Sequence, residues 1–377
     1  MDCEPVHAED RSGARSPLTS DRWRGDDGTP LTLSPMPAAT PETIRGKERS
    51  LWRYAAALPV EADQRVSLGE GWTPMVPLDW SGLRVHVKLE WFNPTSSFKD
   101  RGASVMISHL RSQGARRVLE DSSGNGGSAV AAYAAAAGIE AKIIVPEATS
   151  TAKVFQIQAF GAEIELVGGT RDEVAAEAVR QSAEIPYASH NWHPMFLQGA
   201  KTIAYEMWEM LDFRAPDNVV LVAGAGSNIL GCDIAFTELL GAGLIGHRPR
   251  LLVGQPEHWA TIVDTLNSVD PAMRGPRLPT IAEGASIASP VRLPETVAAV
   301  RRSGGAGTAV SEDEIRSAVR RLTRRGLYAE PTSAVAAAAL DRFIADGTIS
   351  GGQTTVLVLT GSGLKSAAKM ATAFAGT

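Results

Sequence analysis

From about residue 48 onward the chain alternates between two hydrophobic patterns. Short runs dense in β-branched and aliphatic residues occur at RRVLED (116–121), AKIIVP (141–146), AEIELVG (162–168), NVVLVA (218–223), RLLVGQ (250–255) and TTVLVL (354–359). Each is four to eight residues long and reads as a buried strand. An earlier run, RVHVKLEWF (84–92), alternates polar and apolar residues and reads as a half-buried strand. Between the runs lie helical patterns: SVMISHLRSQG (104–114), SAVAAYAAAAG (128–138) and AKTIAYEMWEML (200–211). Strands separated by helices predict βαβ units with parallel sheets, whose ligands sit at the carboxyl ends of the strands. The first three of the six runs make one compact βαβαβ block and the last three belong to another. The expectation is an α/β protein with two parallel-sheet domains and a ligand in the cleft between them. Residues 1–47 lack this periodicity, are rich in Pro, Asp, Arg, Ser and Thr, and read as a disordered N-terminal arm. Residues 48–96 and 186–377 are assigned to a large domain and 97–185 to a small one.

Composition narrows the function classes. The chain has 377 residues, 44% hydrophobic and 21% charged, enough for a sizeable core. A formal net charge of −5 without a basic block argues against a nucleic-acid partner. No apolar run is long enough to span a bilayer, and the start of the chain has no hydrophobic signal segment, so a cytoplasmic protein is expected. Cys3 and Cys232 stand too far apart to suggest a disulfide framework or a metal site.

If ligands bind where strands end, the turns carry the chemistry, and four are informative. NPTSSFKDRG (93–102) places Lys99 at a strand-to-helix turn among Ser, Thr, Asp and Arg. Positive charge is disfavoured at a helix start, so a merely superficial lysine is poorly explained there. EDSSGNGGSA (120–129) leads from a strand into an Ala-rich helix. Its glycines, helix-start amides and hydroxyls suit a carboxylate, although Ser and Asn equally serve as ordinary N-caps. In VAGAGSNILG (222–231), Gly224, Ala225, Gly226, Ser227 and Asn228 can aim several amides at one phosphate. The spacing is neither a dinucleotide fingerprint nor a Walker loop, so a single phosphate monoester fits better than a pyrophosphate. The last strand ends at Thr360, whose hydroxyl can meet a ring nitrogen, a position that alone would read as another cap. One small molecule needs the amine, the phosphate loop and the ring partner together: pyridoxal 5′-phosphate held as a Schiff base. The carboxylate loop is then left for an amino-acid substrate.

These stretches resemble a known family. NPTSSFKDRG is similar to the lysine motif of the threonine synthases, within the fold type II (tryptophan synthase β-like) pyridoxal-phosphate enzymes. SSGNGGSAVAAYAAAAGI (122–139) resembles their substrate loop, GAGSNILG (224–231) their phosphate loop and LTGSGLK (359–365) their C-terminal motif. GEGWTPMVPL (69–78) and EPTSAVAAAAL (330–340) also fit, and all occur in family order. The resemblance implies that Lys99 carries the cofactor and moves the substrate α-proton. It implies that Phe98 shields the ring and Asn125 meets its phenolic oxygen. Ser122, Ser123, Gly124 and Gly126 would hold the substrate carboxylate, Gly224–Asn228 the phosphate, and Thr360 would face the pyridine nitrogen. A hydroxyl there does not keep the ring protonated, which disfavours transamination and favours elimination or replacement at the β or γ carbon. A homodimer is implied by the same analogy.

Two positions depart from the family pattern. Gly126 stands where threonine synthases carry Thr. HPMFLQGAKT (193–202) places Phe196 where a phosphate-binding Arg is expected. PTIAEGASIASPV (279–291) is in turn similar to the amino-acid dehydratases, with Glu283 and Gly284 toward the cofactor. The reading is a threonine synthase-like lyase. The alternative is a β-replacement synthase or a serine/threonine-type deaminase.

Overall fold

The computed structural model describes residues 7–19, 21–149 and 151–375. Among them twelve strands are labelled in chain order: β1 His7–Glu9, β2 Arg15–Pro17, β3 Thr32–Leu33, β4 Met75–Trp80, β5 Leu83–Leu89, β6 Arg117–Glu120, β7 Glu140–Pro146, β8 Glu163–Val167, β9 Asn218–Val222, β10 Arg250–Pro256, β11 Gly307–Val310 and β12 Thr355–Leu359. The chain divides into two compact units: Met1–Gly71 with Lys99–Thr202, and Trp72–Phe98 with Ile203–Thr377.

The first unit holds the parallel sheet β6-β7-β8, linked by the helices Asn125–Ala137 and Thr151–Ala159. Val118, Leu119, Ile143, Ile144 and Val145 are fully buried, as expected of a sheet covered by crossover helices. Nine of the 13 residues of the Asn125–Ala137 helix are Ala or Gly. It ends at Gly138, whose left-handed φ of 67° places its amide on the Ala134 and Ala135 carbonyls.

The second unit holds a six-stranded sheet in the order β11-β10-β9-β12-β5-β4. All pairs are parallel except β4–β5. Central β9 and β12 are buried along their whole length. Because β9, β12 and β5 run parallel, the turns that follow them emerge at one edge of the sheet.

The six apolar runs and the alternating run all form strands where expected, and β4 and β11 are additional. The N-terminal segment departs from its expectation. In place of a disordered arm, β2-β1-β3 form a small antiparallel sheet. Its sparse apolar residues Ala8, Leu18, Leu31 and Leu33 are buried in one cluster with Trp52, Leu110 and Phe196. Cys3 lies outside the described residues, and Cys232 is buried.

The expected domain boundary at residue 185 also moves. Residues 186–202 join the first unit because Leu119 donates to the Pro186 carbonyl and accepts from Ala188 N–H. The helix Pro194–Ala200 then packs backbone to backbone on the helix Lys99–Ser112. A Cβ on Gly199 would lie 1.9 Å from the Arg101 carbonyl oxygen, so glycine is required there. Among the described residues no helix is long and apolar enough to cross a membrane.

Candidate active site

In the second unit the turn that leads to the lysine is fastened to the end of β12. Phe98 N–H donates to the Thr360 carbonyl at 2.9 Å, Ser362 N–H donates to Ser96 O at 3.1 Å, and Ser97 bridges Gly361. Lys365 Nζ reaches Thr95 O at 2.8 Å. Ser96 adopts a left-handed φ of 66° to make this turn. Segments far apart in sequence are thereby set in register, with half-buried Phe98 beside buried Thr360. The Thr360 hydroxyl lies 3.0 Å from Ser333 Oγ, which also accepts from Gly361 N–H at 3.0 Å. Ser333 belongs to the EPTSAVAAAAL stretch, yet the sequence alone assigns it no role. The buried Ser97 hydroxyl has no hydrogen-bond partner among the described residues.

The loop expected from the sequence to hold a phosphate follows β9 in the same unit. Gly226 caps the helix Ser227–Gly241 with φ of 97°. A Cβ there would meet Thr296 Oγ1 at 2.3 Å, and one on Gly224 would meet the Gly284 carbonyl at 2.9 Å. Both glycines are therefore dictated by close approach. The first amides of a helix have no intrahelical acceptor and lie at its positive end, where an anion is favoured. The Asn228 side chain is occupied locally: its Nδ2 donates to Val222 O at 3.0 Å and its Oδ1 accepts from Ile229 N–H at 2.9 Å. Its main-chain N–H lies in the first turn of the helix. Gly284 packs against this loop through Gly224, while Glu283 pairs with Lys369 at 3.1 Å.

In the first unit Lys99 is the first residue of the helix Lys99–Ser112 and is half-buried. Its Nζ lies 5.4 Å from the ring centroid of fully buried Phe196. That ring rests on Gly102, where a Cβ would come within 2.4 Å of it. The loop 122–127 follows β6 and opens the helix Asn125–Ala137 through Gly124, whose cap uses no side chain. Gly127 is required because a Cβ would lie 1.9 Å from the Ser122 carbonyl. Ser122 and Ser123 are partly exposed, with Ser122 Oγ accepting weakly from Gly124 N–H at 3.4 Å. The N-cap reading of these serines therefore fails.

A second feature of this unit lies outside the sequence expectation. His190 Nδ1 lies 2.9 Å from Glu120 Oε1, and His190 N–H donates to Glu120 Oε2 at 3.0 Å. Burial pushes the Glu120 carboxyl up to about 7, and burial, reinforced by the Lys99 charge, pushes the His190 imidazole well down. Neighbouring Asp121 is also raised by burial, held by Arg171 and by the Tyr187 hydroxyl at 2.8 Å. A Cβ on Gly126 would lie 2.7 Å from His190 Nδ1. In the sequence, Glu120 is hidden at the end of a strand and His190 in a stretch without periodicity.

These donors fit pyridoxal phosphate. The amides and glycines of 224–228 form a cradle that a Cβ would fill. Thr360 and Ser333 offer hydroxyls suited to a ring nitrogen, and Lys99 offers a primary amine. Among the described residues no cluster suits a metal ion.

Comparison with known proteins agrees with this donor set. Residues 66–361 match the family model described as pyridoxal-phosphate dependent enzyme. The threonine synthase of Methanosarcina acetivorans is 34% identical over 334 residues, covering 86% of this chain and 82% of that protein. The threonine synthase of Mycobacterium bovis is 35% identical over 321 residues, covering 83% and 87%. Among solved structures, threonine deaminase isoform 2 from Solanum lycopersicum superposes with a TM-score of 0.67 at 22% identity, covering 93% of this chain and 98% of that one. The serine racemase of Dictyostelium discoideum gives 0.62 at 21% identity, covering 77% and 92%. The chain belongs to the pyridoxal-phosphate-dependent enzymes and is a threonine synthase-like lyase with the tryptophan synthase β-like fold.

Proposed function

We propose that the protein acts on an amino acid whose side chain carries a small, uncharged leaving group at the β or γ carbon. Lys99 holds the cofactor and moves the α-proton. Residues 224–228 hold its phosphate, Asn125 meets the phenolic oxygen, Phe98 covers the ring and Thr360, supported by Ser333, meets the ring nitrogen. Ser122, Ser123, Gly124 and Gly126 hold the substrate carboxylate. Bound, pyridoxal phosphate supplies an electron sink for breaking the α C–H bond and expelling the side-chain group.

The observation that carries the substrate reading is Phe196. Its ring is fully buried, seated on Gly102 and 5.4 Å from the Lys99 amine. Threonine synthases place an Arg at this position for a substrate phosphate, and an apolar ring cannot pair with a phosphate dianion. The second reading, a β-replacement synthase or a serine/threonine-type deaminase, is favoured by the same ring together with Gly126, which removes the hydroxyl expected near the reacting carbons. We further propose a cytoplasmic homodimer that engages neither nucleic acid nor membrane.

Kinetics on O-phosphohomoserine, O-phosphoserine, O-acetylserine, serine and threonine, with products identified by mass, decide the substrate. The expected result is poor turnover of both phosphorylated compounds and better turnover of an uncharged one. Efficient conversion of O-phosphohomoserine to threonine would overturn the proposal. Sedimentation of the purified protein tests the dimer.

A further inference from the structure

Gly126, His190, Glu120, Phe196 and Lys99 form one connected group in the first unit. The His190 imidazole occupies the space beside Gly126 that a side chain there would need, with Nδ1 2.7 Å from the missing Cβ position. Its edge faces the Phe196 ring, centroids 5.9 Å apart, and Phe196 in turn underlies the Lys99 amine. The two departures from the threonine synthase pattern are thus bridged physically by a single imidazole.

That imidazole is held rigidly. Glu120 is fully buried, with one carboxylate oxygen on the ring and the other on the backbone of the same histidine. Among the described residues the second ring nitrogen, Nε2, has no hydrogen-bond partner. A bidentate carboxylate that fixes one nitrogen and leaves the other available is a common way to orient a histidine toward a ligand.

We propose that His190, oriented by Glu120, is the specificity-determining residue for the substrate side chain, and that its Nε2 receives a hydroxyl group. The proposal rests on the reading that Lys99 and the loop 122–127 hold the cofactor and the substrate carboxylate. The chemistry follows from the proton inventory of the pair. When Glu120 is ionised, Nδ1–H donates to it and Nε2 accepts. When Glu120 carries the proton, Nδ1 accepts and Nε2–H donates. A hydroxyl is both donor and acceptor, so it satisfies either arrangement. A phosphate dianion is an acceptor alone, and it would stand beside a second buried acid at Asp121. The charged or titratable groups facing the imidazole are Glu120 and Asp121 from the end of β6, Lys99 from its helix and Arg171 from the helix Arg171–Gln181.

The test uses the cofactor-loaded enzyme, with L-alanine as a probe that lacks the side-chain group and L-serine as one that has it. Binding is read from the change in cofactor absorbance, and turnover of serine separately. His190→Leu is expected to lose roughly 10- to 100-fold in kcat/KM for serine, the effect of one buried hydrogen bond. Its affinity for alanine is expected to change by less than about threefold, which sets one lost side-chain contact apart from general damage. Glu120→Gln, which leaves a partner on Nδ1 but removes the ionisable acid, is expected to shift the pH profile of kcat/KM while alanine binding stays near normal. His190→Gln, which keeps a polar terminus at the same place, is expected to recover part of the serine turnover, and that recovery sets a lost contact apart from a folding defect. Equal losses for alanine and serine, or no change in either, would overturn the proposal by making His190 purely structural. Failure of the underlying reading is distinguishable: the unmodified enzyme would then show no absorbance change with any amino acid.

Discussion

Gly226 is the residue at which the proposed phosphate site is most directly open to test. Its φ of 97° is costly for any side chain, and a Cβ would collide with Thr296. Gly226→Val therefore forces the loop open and turns its amides away from the phosphate. Each charge-assisted hydrogen bond is worth about 1.5–3 kcal/mol, so losing one or two lowers cofactor affinity by about one to a few orders of magnitude. Cofactor titration into the apo-enzyme checks this, and unchanged affinity would move the phosphate elsewhere. Thr360 is legible in the sequence because it ends a strand that can be recognised. Its neighbour Ser333 is not, because a serine in an Ala-rich helix carries no periodic signal. Likewise Glu120 and His190 are 70 positions apart, and nothing in local pattern announces that they touch.

At the scale of elements, the helix Lys99–Ser112 carries both the lysine and much of the first unit's core. Of its residues, Asp100 through Leu110 are buried, far more than a one-sided amphipathic helix would show. His109 lies within it, its ring 5.8 Å from His193 and its Nε2 without a partner among the described residues. Burial pushes its imidazole down to about 4 from an ordinary 6.5. Between these values the unfolded chain binds the proton and the folded one does not, so stability is retained above about pH 6.5 and lost as pH falls toward 4. The size of this loss is on the order of 3 kcal/mol. His109→Leu is expected to flatten the stability profile over that window, read by urea denaturation at several pH values. An unchanged slope would assign the acid sensitivity to other groups. The sequence marks this element as a helix but gives no sign of its burial on every side. That burial depends on Gly102 and Gly199, which let a second helix come within backbone contact.

For the molecule as a whole, hydrophobic runs reveal the two sheets because buried parallel strands are near-continuous in apolar residues. They do not reveal the order within the six-stranded sheet, nor that β4 runs antiparallel at its edge. The N-terminal segment imitates disorder in its sequence because its strands are two or three residues long and its apolar residues isolated. Its contribution is nonetheless specific. Trp23 meets Tyr187 and Trp192 edge-on at 5.0 and 5.1 Å, buttressing the segment that carries His190. Four of the family motifs, around Lys99, Ser122, Gly224 and Thr360, are legible because they lie where a strand gives way to a turn. The domain boundary is not, because the helix Pro194–Ala200 joins its unit through contacts distant in sequence.

The central claim is that Lys99 carries the cofactor. Borohydride reduction of the purified protein, followed by mass analysis of its peptides, tests it most directly. Two buried lysines serve as internal controls: Lys88, fully enclosed and paired with Glu206 at 2.7 Å, and Lys201 at the end of the Pro194–Ala200 helix. The account predicts loss of the visible absorbance band and a pyridoxyl label on Lys99 alone. A label on Lys88 or Lys201, with Lys99 unmodified, would contradict it.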